Sequence, residues 1–307
     1  MSAARRGATG LSGIMPIDKP AGMTSHDVVG FVRRVTGERR VGHAGTLDPM
    51  ATGLLVVLIG PATRLEQFVS ASYKTYEATI AFGAETDTED AEGSVVATAP
   101  VPPAVLRESD AQRVLDAFLG ESMQVPPQYS ALKVDGKTAH RVARGGGEIE
   151  LAARPIDVTL AELESVDATS ATWRAIFRVS KGTYIRSLAR DIGRAAGTAA
   201  HLAGLRRIES GALSLDRDAN SLEEVERAAA DGRIESLFCS ALAVLGMPFI
   251  EIDEEAAAAV RVGRELRCPD GLADGSLVAL VRGGHVCAVY RRVGEALRPE
   301  VVLARPA

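Results

Sequence analysis

The chain has few cysteines and no long apolar run. Its three cysteines, Cys239, Cys268 and Cys287, lie far apart and form no Cys-x-x-Cys or Cys/His pattern, so the sequence predicts neither a disulfide framework nor a zinc site. No uninterrupted apolar stretch reaches the roughly eighteen residues typical of a transmembrane helix. The first residues include two arginines but no apolar segment behind them, which is unlike a secretory signal. We therefore expect a cytoplasmic protein without a membrane partner.

An excess of basic charge is also absent. The formal net charge of −5 argues superficially against a nucleic-acid partner, but it averages segments of opposite sign. Residues 1–64 and 120–210 carry net charges of +4 and +3, whereas residues 65–119 and 211–307 carry −7 and −5. Such variation is ordinary for a protein surface unless the basic residues gather on one face. Composition alone therefore leaves the partner open.

Apolar periodicity predicts a mixture of helices and strands. Apolar residues make up 46% of the chain, enough for one large domain with an appendage or for two ordinary domains. A helix is predicted between a cap at Thr24 or Ser25 and Gly37. The run "LLVVLIG" predicts a buried strand or a short helix that ends at Gly60. The stretches "YKTYEATIAFG" and "TWRAIFRVS" alternate apolar and polar residues, as half-buried strands do.

Two charged segments have an ordinary interpretation as solvated surface. An apolar stripe in "KGTYIRSLARDIGRAAG" predicts a helix directly after the second of these strands. On that helix Arg186, Arg190 and Arg194 recur every four residues and therefore share a face, which is usually solvated. The acidic connection "AETDTEDAEG" is likewise predicted to be a solvated turn.

Two further segments differ in character from the rest. Residues 124–155 begin "QVPPQYSALKVDGKTAHRVARGGG", which is rich in Pro, Gly, Lys and Arg and predicts a long projecting loop with one helical turn. From residue 246 onward, short β-like runs separated by Gly and Asp predict a small β-rich module.

The stretch "VGHAGTLDPMATG" places Asp48 directly before Pro49 in a glycine-rich loop. An Asp-Pro pair of this kind is usually a turn device, whose carboxylate accepts hydrogen bonds from nearby backbone amides. The same loop suits a nucleophile, because glycines let the backbone approach a ligand and proline restricts the chain. A carboxylate nucleophile in a pocket that excludes water needs a nearby cation, and Arg186 is one of several candidates.

These segments resemble the tRNA pseudouridine synthase B (TruB) family. "VGHAGTLDPMATG" resembles its catalytic motif, and five other stretches look like its further blocks in the same order: "IDKPAGMTSHDVV", "YKTYEATIAFG", "QVPPQYSALKVDGK", "SKGTYIRSLARDIG" and "HLAGLRRIESGAL". The resemblance spans residue 14 to about residue 215. It implies a mixed α/β (α+β) pseudouridine synthase fold around a large, mostly antiparallel sheet. It also implies a catalytic domain over residues 1–245 and a PUA-like RNA-binding domain over residues 246–307.

The resemblance assigns catalytic roles to three residues. Asp48 would be the nucleophile, which attacks the base or the sugar C1′ or promotes elimination to a glycal. Tyr76 would stack on the flipped uracil and place its hydroxyl for proton abstraction from the sugar. Arg186 would pair with Asp48. Without the motif, Tyr76 would be interpreted as a core aromatic residue.

The resemblance also assigns substrate contacts. Tyr184 and Leu205 would wall the base pocket, His43 would contact the displaced RNA, and Lys19 would meet a phosphate or support the catalytic loop. By themselves, Leu205 would be a core residue and His43 a structural hydrogen-bonding group.

The projecting loop would hold the phosphates of an RNA that is recognised mainly by its shape. Its suitable cations are Lys133, Lys137, Arg141 and Arg144. The loop of the family usually has a tyrosine where this chain places His140, and this departure affects a stacking contact rather than the reaction.

The resulting expectation is an enzyme that isomerises uridine 55 of the tRNA T-loop, on a nucleotide extracted from folded RNA, without metal or organic cofactor. We expect a monomer whose partner is the T-arm stem-loop of tRNA, with no obligate protein partner. The alternative is a non-catalytic tRNA-binding or tRNA-folding chaperone. Catalysis is favoured because a pure binder does not need a desolvated acid–base pair. An aspartate-nucleophile hydrolase would need a partner base or a metal cluster, which the sequence does not supply.

Overall fold

The computed structural model divides into two compact units. It describes residues 9–70, 73–130, 132–134, 137–145, 147, 149–303 and 305–307. The first unit contains the described residues before 73 and after 208, and the second contains those from 73 to 208. Among the described residues, no helix is both long enough and apolar enough to cross a membrane.

Strands and helices occur in both units. The strands are β1 (Gly13–Lys19), β2 (Val41–Ala44), β3 (Thr52–Ile59), β4 (Lys74–Phe82), β5 (Ala84–Thr86), β6 (Val95–Thr98), β7 (Gly120–Gln124), β8 (Lys133–Val134), β9 (Lys137–Thr138), β10 (Arg154–Asp167), β11 (Thr172–Val179), β12 (Ala200–Ser210), β13 (Leu213–Ser214), β14 (Phe249–Glu251), β15 (Leu266–Arg267), β16 (Leu277–Arg282), β17 (His285–Val293) and β18 (Ala296–Val302). The helices are α1 (Ser25–Thr36), α2 (Glu66–Val69), α3 (Glu108–Asp116), α4 (Ala139–Arg144), α5 (Ile185–Ala195), α6 (Leu215–Asp218), α7 (Leu222–Ala230), α8 (Ala241–Leu245) and α9 (Glu254–Arg261).

In the first unit, β3 lies between β1 and β2. β1 pairs antiparallel with β3 from Gly13 opposite Ile59 to Lys19 opposite Gly53, and β2 pairs antiparallel with the other edge. Residues 54–59 are fully buried. The run "LLVVLIG", which the sequence allowed to be either a strand or a short helix, therefore forms a strand that is buried on both faces.

Helix α1 begins and ends where the sequence predicts. Thr24 Oγ1 accepts a hydrogen bond from Asp27 N at 3.0 Å, and Asp27 Oδ2 accepts one from Thr24 N at 2.8 Å, which together form a capping box. The helix ends at Gly37, whose φ of +69° is in the left-handed region that glycine adopts at little cost.

In the second unit, the main strands follow the order β12, β4, β11, β10, β7. The β4–β11, β11–β10 and β10–β7 pairs are antiparallel, and α5 packs against β4. Tyr76 on β4 lies opposite Phe177 on β11, and both side chains are buried. The predicted mixed fold with a large, mostly antiparallel sheet is confirmed.

The end of the chain forms a separate small sheet. Its strand order is β14, β16, β17, β18, β15, and only the β14–β16 pair is parallel among its described pairs. Apolar residues of this sheet and of α9 form one cluster, in which Tyr290 is fully buried and donates its hydroxyl to Arg264 O at 3.0 Å. The β-rich character of this segment is confirmed, whereas the domain boundary at residue 246 stays a prediction.

Candidate active site

Asp48 lies in the loop that joins β2 to β3. Gly45 and Gly53 flank it with φ values of +81° and +97°, a region that favours glycine. These two residues let the chain reverse between two antiparallel strands. Asp48 O accepts a hydrogen bond from Ala51 N at 3.1 Å, which closes a turn around Pro49. The Asp48 side chain is half-buried.

One end of β1 holds this loop through Pro49. Lys19 is fully buried, and its Nζ donates to Pro20 O at 2.9 Å, to Met23 O at 2.6 Å and to Pro49 O at 3.3 Å. Gly22 N also donates to Pro49 O, at 2.9 Å. Of the two roles expected for Lys19, these contacts describe support of the loop.

Ser25 holds the other side of the loop. Its Oγ donates to Leu47 O at 3.1 Å and accepts from Leu47 N at 2.9 Å, and both residues are buried. The sequence indicated Ser25 only as a helix cap, because nothing local pairs it with a residue twenty-two positions away. The backbone on both sides of Asp48 is therefore fixed. His43 lies half-buried on β2, and its predicted RNA contact stays a prediction.

Three of the predicted residues lie on neighbouring elements of the second unit. Tyr76 is on β4 and 9% exposed. Leu205 is half-buried on β12, the strand next to β4. Tyr184 directly precedes α5 and is also half-buried. Their roles at a uracil stay predictions.

The guanidinium group of Arg186 is held from several directions. Arg186 is 5% exposed in the first turn of α5. Its Nη1 donates to Thr88 O and its Nη2 to Tyr129 O, both at 2.9 Å. The carboxylate of Asp90 lies 3.6 Å from Nη1. A planar guanidinium bound at both nitrogens has little rotational freedom. Its pairing with Asp48 stays a prediction.

A second arginine of the same helix binds the same acidic connection. Arg190 forms an ion pair with Glu89, and Arg190 Nη2 donates to Val125 O at 3.1 Å. Ser187 Oγ donates to Glu89 Oε2 at 2.6 Å. Burial raises the pKa of Glu89, although Arg190 and the Ser187 hydroxyl oppose that shift.

The prediction that the acidic connection is a solvated turn is wrong, and the ordinary interpretation of the arginine row as a solvated helix face does not hold for Arg186 and Arg190. Arg186 and Arg190 are buried, and residues of the connection 84–93 are their partners. Only Arg194, which pairs with Glu85 at 2.8 Å, keeps a largely exposed side chain. Helical spacing shows which arginines share a face but not what covers that face. The carboxylates that pair with Arg190 and Arg194 lie about one hundred positions earlier in the sequence.

The projecting segment contains more structure than one helical turn. β8 and β9 form a hairpin, and α4 follows directly. Gln128 Nε2 donates to Ile149 O at 2.9 Å and Gln128 Oε1 accepts from Ile149 N at 3.1 Å, so one side chain closes the base of the segment. Arg141 is exposed. The side chains of four further residues lie outside the described part of the structure: Lys133, Lys137, His140 and Arg144.

Two family models match the chain over consecutive ranges. The model for the TruB family pseudouridylate synthase N-terminal domain matches residues 33–185. The model for the tRNA pseudouridylate synthase B C-terminal domain matches residues 186–244. The sequence did not indicate Asp90 as a neighbour of Arg186, nor Ser25 as a partner of Leu47.

Named relatives match almost the whole chain. A tRNA pseudouridine synthase B from Corynebacterium aurimucosum is 44% identical over 302 residues, which cover 96% of this chain and 97% of the relative. A protein of the same name from Mycobacteroides abscessus is 42% identical over 299 residues, with the same two coverages.

Solved structures share the fold. A chain of a Cbf5–Nop10–Gar1 complex matches with a TM-score of 0.74 and 27% identity, over 94% of this chain and 84% of that chain. A chain of an H/ACA ribonucleoprotein bound to a substrate RNA that contains 2′-deoxyuridine matches with a TM-score of 0.72 and 25% identity, over 95% and 84%.

Proposed function

Because the chain belongs to the TruB family of pseudouridine synthases, we propose that it converts uridine 55 of the tRNA T-loop to pseudouridine. Its activity as a pseudouridine synthase is the activity of that family. The relatives named tRNA pseudouridine synthase B support tRNA as the substrate. The T-arm stem-loop is then the binding partner, and the protein acts as a monomer in the cytoplasm.

The observation that carries the proposal is the doubly anchored loop of Asp48. Lys19 and Gly22 bind Pro49, and Ser25 binds Leu47, so the residues on either side of Asp48 cannot shift independently of β1 and α1. A nucleophile gains rate when its geometry is fixed before the substrate arrives. A carboxylate that served only to close a turn would not require these buried anchors.

In the proposed mechanism, the target uridine leaves the RNA stack and Asp48 attacks the base or the sugar C1′, or promotes elimination to a glycal. Tyr76 stacks on the detached uracil, and its hydroxyl is placed for proton abstraction from the sugar. Tyr184 and Leu205 enclose the base. Arg186 pairs with the carboxylate of Asp48. The reaction is an isomerisation and consumes no cofactor.

The test is base-resolution mapping of pseudouridine in a complete tRNA and in a T-arm stem-loop after incubation with the purified protein. We expect modification at uridine 55 alone, and none with Asp48→Asn. Modification at another position would refute the assignment of the site. Bound tRNA without any modification would favour the chaperone instead.

A further inference from the structure

Gln124 binds the backbone of Tyr184 with both polar atoms of its side chain. It is the last residue of β7 and only 3% exposed. Its Nε2 donates to Tyr184 O at 3.1 Å, and its Oε1 accepts from Tyr184 N at 2.9 Å. The carboxamide therefore pairs with Tyr184 as one strand residue pairs with another. We call this two-bond contact the Gln124 clasp.

The Gln124 clasp lies where the chain changes from extended to helical conformation. Tyr184 has a φ of −101° and a ψ of 112° and directly precedes α5. Its carbonyl oxygen also accepts a bond from Leu188 N at 3.0 Å, in the first helical turn. Both backbone polar groups of Tyr184 are thus bound. Because Arg186 lies only two residues later, the clasp fixes the start of the helix segment that presents both side chains.

Residues after Gln124 contact the same helix through charged groups. Val125 O accepts from Arg190 and Tyr129 O accepts from Arg186. The Gln124 side chain is uncharged, and both of its hydrogen bonds are to the backbone of Tyr184. The other two contacts instead join backbone carbonyl oxygens to the charged guanidinium groups of Arg186 and Arg190. Replacing Gln124 therefore changes geometry while leaving the charges of Arg186 and Arg190 in place.

We propose that Gln124 is a positioning residue for the pseudouridine reaction, which acts by holding Tyr184 and the first turn of α5 in the orientation that receives the flipped uracil. This inference rests on the proposed function, in which Tyr184 walls the base pocket. Gln124 itself does not touch the substrate. Its loss therefore lowers the rate of conversion of bound RNA rather than the affinity for RNA.

The second unit offers a matched control. Gln112 on α3 makes the same kind of clasp, with Nε2 donating to Ala161 O at 2.9 Å and Oε1 accepting from Leu163 N at 2.8 Å. Its partners lie on β10 and include no residue of the candidate site. Gln112→Met and Gln124→Met thus each remove two hydrogen bonds to backbone, and Gln112→Met also removes one to Asp116 Oδ1. Only Gln124→Met removes hydrogen bonds from Tyr184.

The first experiment compares single-turnover rates at saturating enzyme with equilibrium affinity for a T-arm stem-loop. For Gln124→Met we expect a rate reduced between about tenfold and a hundredfold, as misplaced reacting groups produce, with affinity within about threefold of wild type. Gln112→Met is expected to keep the wild-type rate. Equal rates for Gln124→Met and wild type would overturn the proposal, as would equal rate losses in both variants.

The second experiment uses Gln124→Glu, because a protonated carboxyl group offers one donor and one acceptor as the amide does. When ionised, the introduced carboxyl cannot donate to Tyr184 O. Because the position is buried and faces the carbonyl oxygen of Tyr184, we expect the pKa of the introduced carboxyl to be raised, against the opposing effect of Arg154 on β10 and of Arg186 and Arg190 on α5. Relative to wild type at each pH, the rate should recover as pH falls from about 8.5 to about 5.

A flat relative profile for Gln124→Glu at the reduced level of Gln124→Met would overturn the inference, because a merely structural defect does not respond to that proton. Failure of the proposed function has a different signature. In that case wild type would also leave uridine 55 unmodified, whereas every outcome that overturns the Gln124 inference leaves wild type able to modify uridine 55.

Discussion

The ammonium group of Lys19 donates a hydrogen bond to the carbonyl oxygen of Pro49, the residue that follows Asp48, at 3.3 Å. Lys19 is fully buried, and a buried cation is tolerated only where polar groups replace its water. Two further carbonyl oxygens, of Pro20 and Met23, do so here. The residue that follows the candidate nucleophile is therefore bound by a buried ammonium group of the same unit.

Lys19→Met tests this support, because it keeps the length of the side chain and removes the donor. Three carbonyl oxygens lose a charged partner, so we expect the free energy of unfolding to fall by about 3 kcal/mol, together with a lower single-turnover rate. Urea denaturation measures the first effect. As a control, Lys181→Met replaces an exposed lysine and should change stability by less than about 0.5 kcal/mol. Unchanged stability in Lys19→Met would contradict the loop-support role.

Asp48→Asn should retain the fold and the affinity for tRNA but lose turnover. The substitution keeps the shape of the side chain and removes its charge, and the loop anchors described above act on the backbone of Pro49 and Leu47. Single-turnover assays with radiolabelled T-arm RNA measure the rate, and filter binding measures the affinity. Turnover comparable to wild type would remove Asp48 from the mechanism.

Arg186→Lys should lower the rate by about a hundredfold or more with little change in affinity. A lysine keeps the charge but cannot bind Thr88 O and Tyr129 O with two nitrogens of one plane, as Arg186 does. The matched control is Arg194→Lys on the same helix, where the arginine side chain is 58% exposed and its ion pair with Glu85 contributes less than a fully buried one. A defect in affinity alone would count against a pairing of Arg186 with Asp48.

Local patterns predicted the elements but not the partners that complete the site. The caps of α1 and the period-two alternation of β4 and β11 are readable because each signal lies within about twelve neighbouring residues. The motif around Asp48 located the candidate nucleophile by the same local logic. The run before Gly60 remained ambiguous, because a strand buried on both faces has no alternation.

The missed residues share one property, which is a partner far away in sequence. Gln124 and Tyr184 are sixty positions apart, and Arg186 and Thr88 are ninety-eight apart. The spacing of charges within "AETDTEDAEG" or along α5 contains no information about such a pairing. Only the fold brings the acidic connection to the arginines, and there a connection predicted to be solvated becomes part of a buried network.

Gln128→Leu should open the base of the projecting segment, because it removes both hydrogen bonds that join residue 128 to Ile149. We expect trypsin to cleave within residues 129–148 several times faster, together with weaker binding of the T-arm stem-loop. Gln112→Leu removes an equivalent clasp on β10 and should leave both quantities unchanged. Equal cleavage of Gln128→Leu and wild type would show that the base is held by other contacts.

The cations of the projecting segment should determine how RNA affinity depends on salt. If Lys133, Lys137, Arg141 and Arg144 contact phosphates, each contact releases condensed counterions, so affinity falls as salt rises. For a largely single-stranded RNA loop, each contact contributes about 0.7 to the slope of log affinity against log salt. Replacing Lys137 and Arg141 by Gln should therefore reduce the slope by about 1.4.

The matched double variant replaces Arg113 and Arg174 by Gln. These two exposed arginines pair with Asp110 and Glu164, and the variant should keep the wild-type slope of log affinity against log salt. Equilibrium binding across a salt series gives the slopes. Single-turnover rates at saturating enzyme should stay close to wild type in both double variants, because the replaced side chains would lie outside the pocket of Asp48 and Tyr76. An unchanged slope after replacement of Lys137 and Arg141 would mean that the segment does not bind phosphate. A lost rate at saturation would mean instead that these cations act at the reacting nucleotide, since salt-dependent association contributes nothing once the RNA is bound.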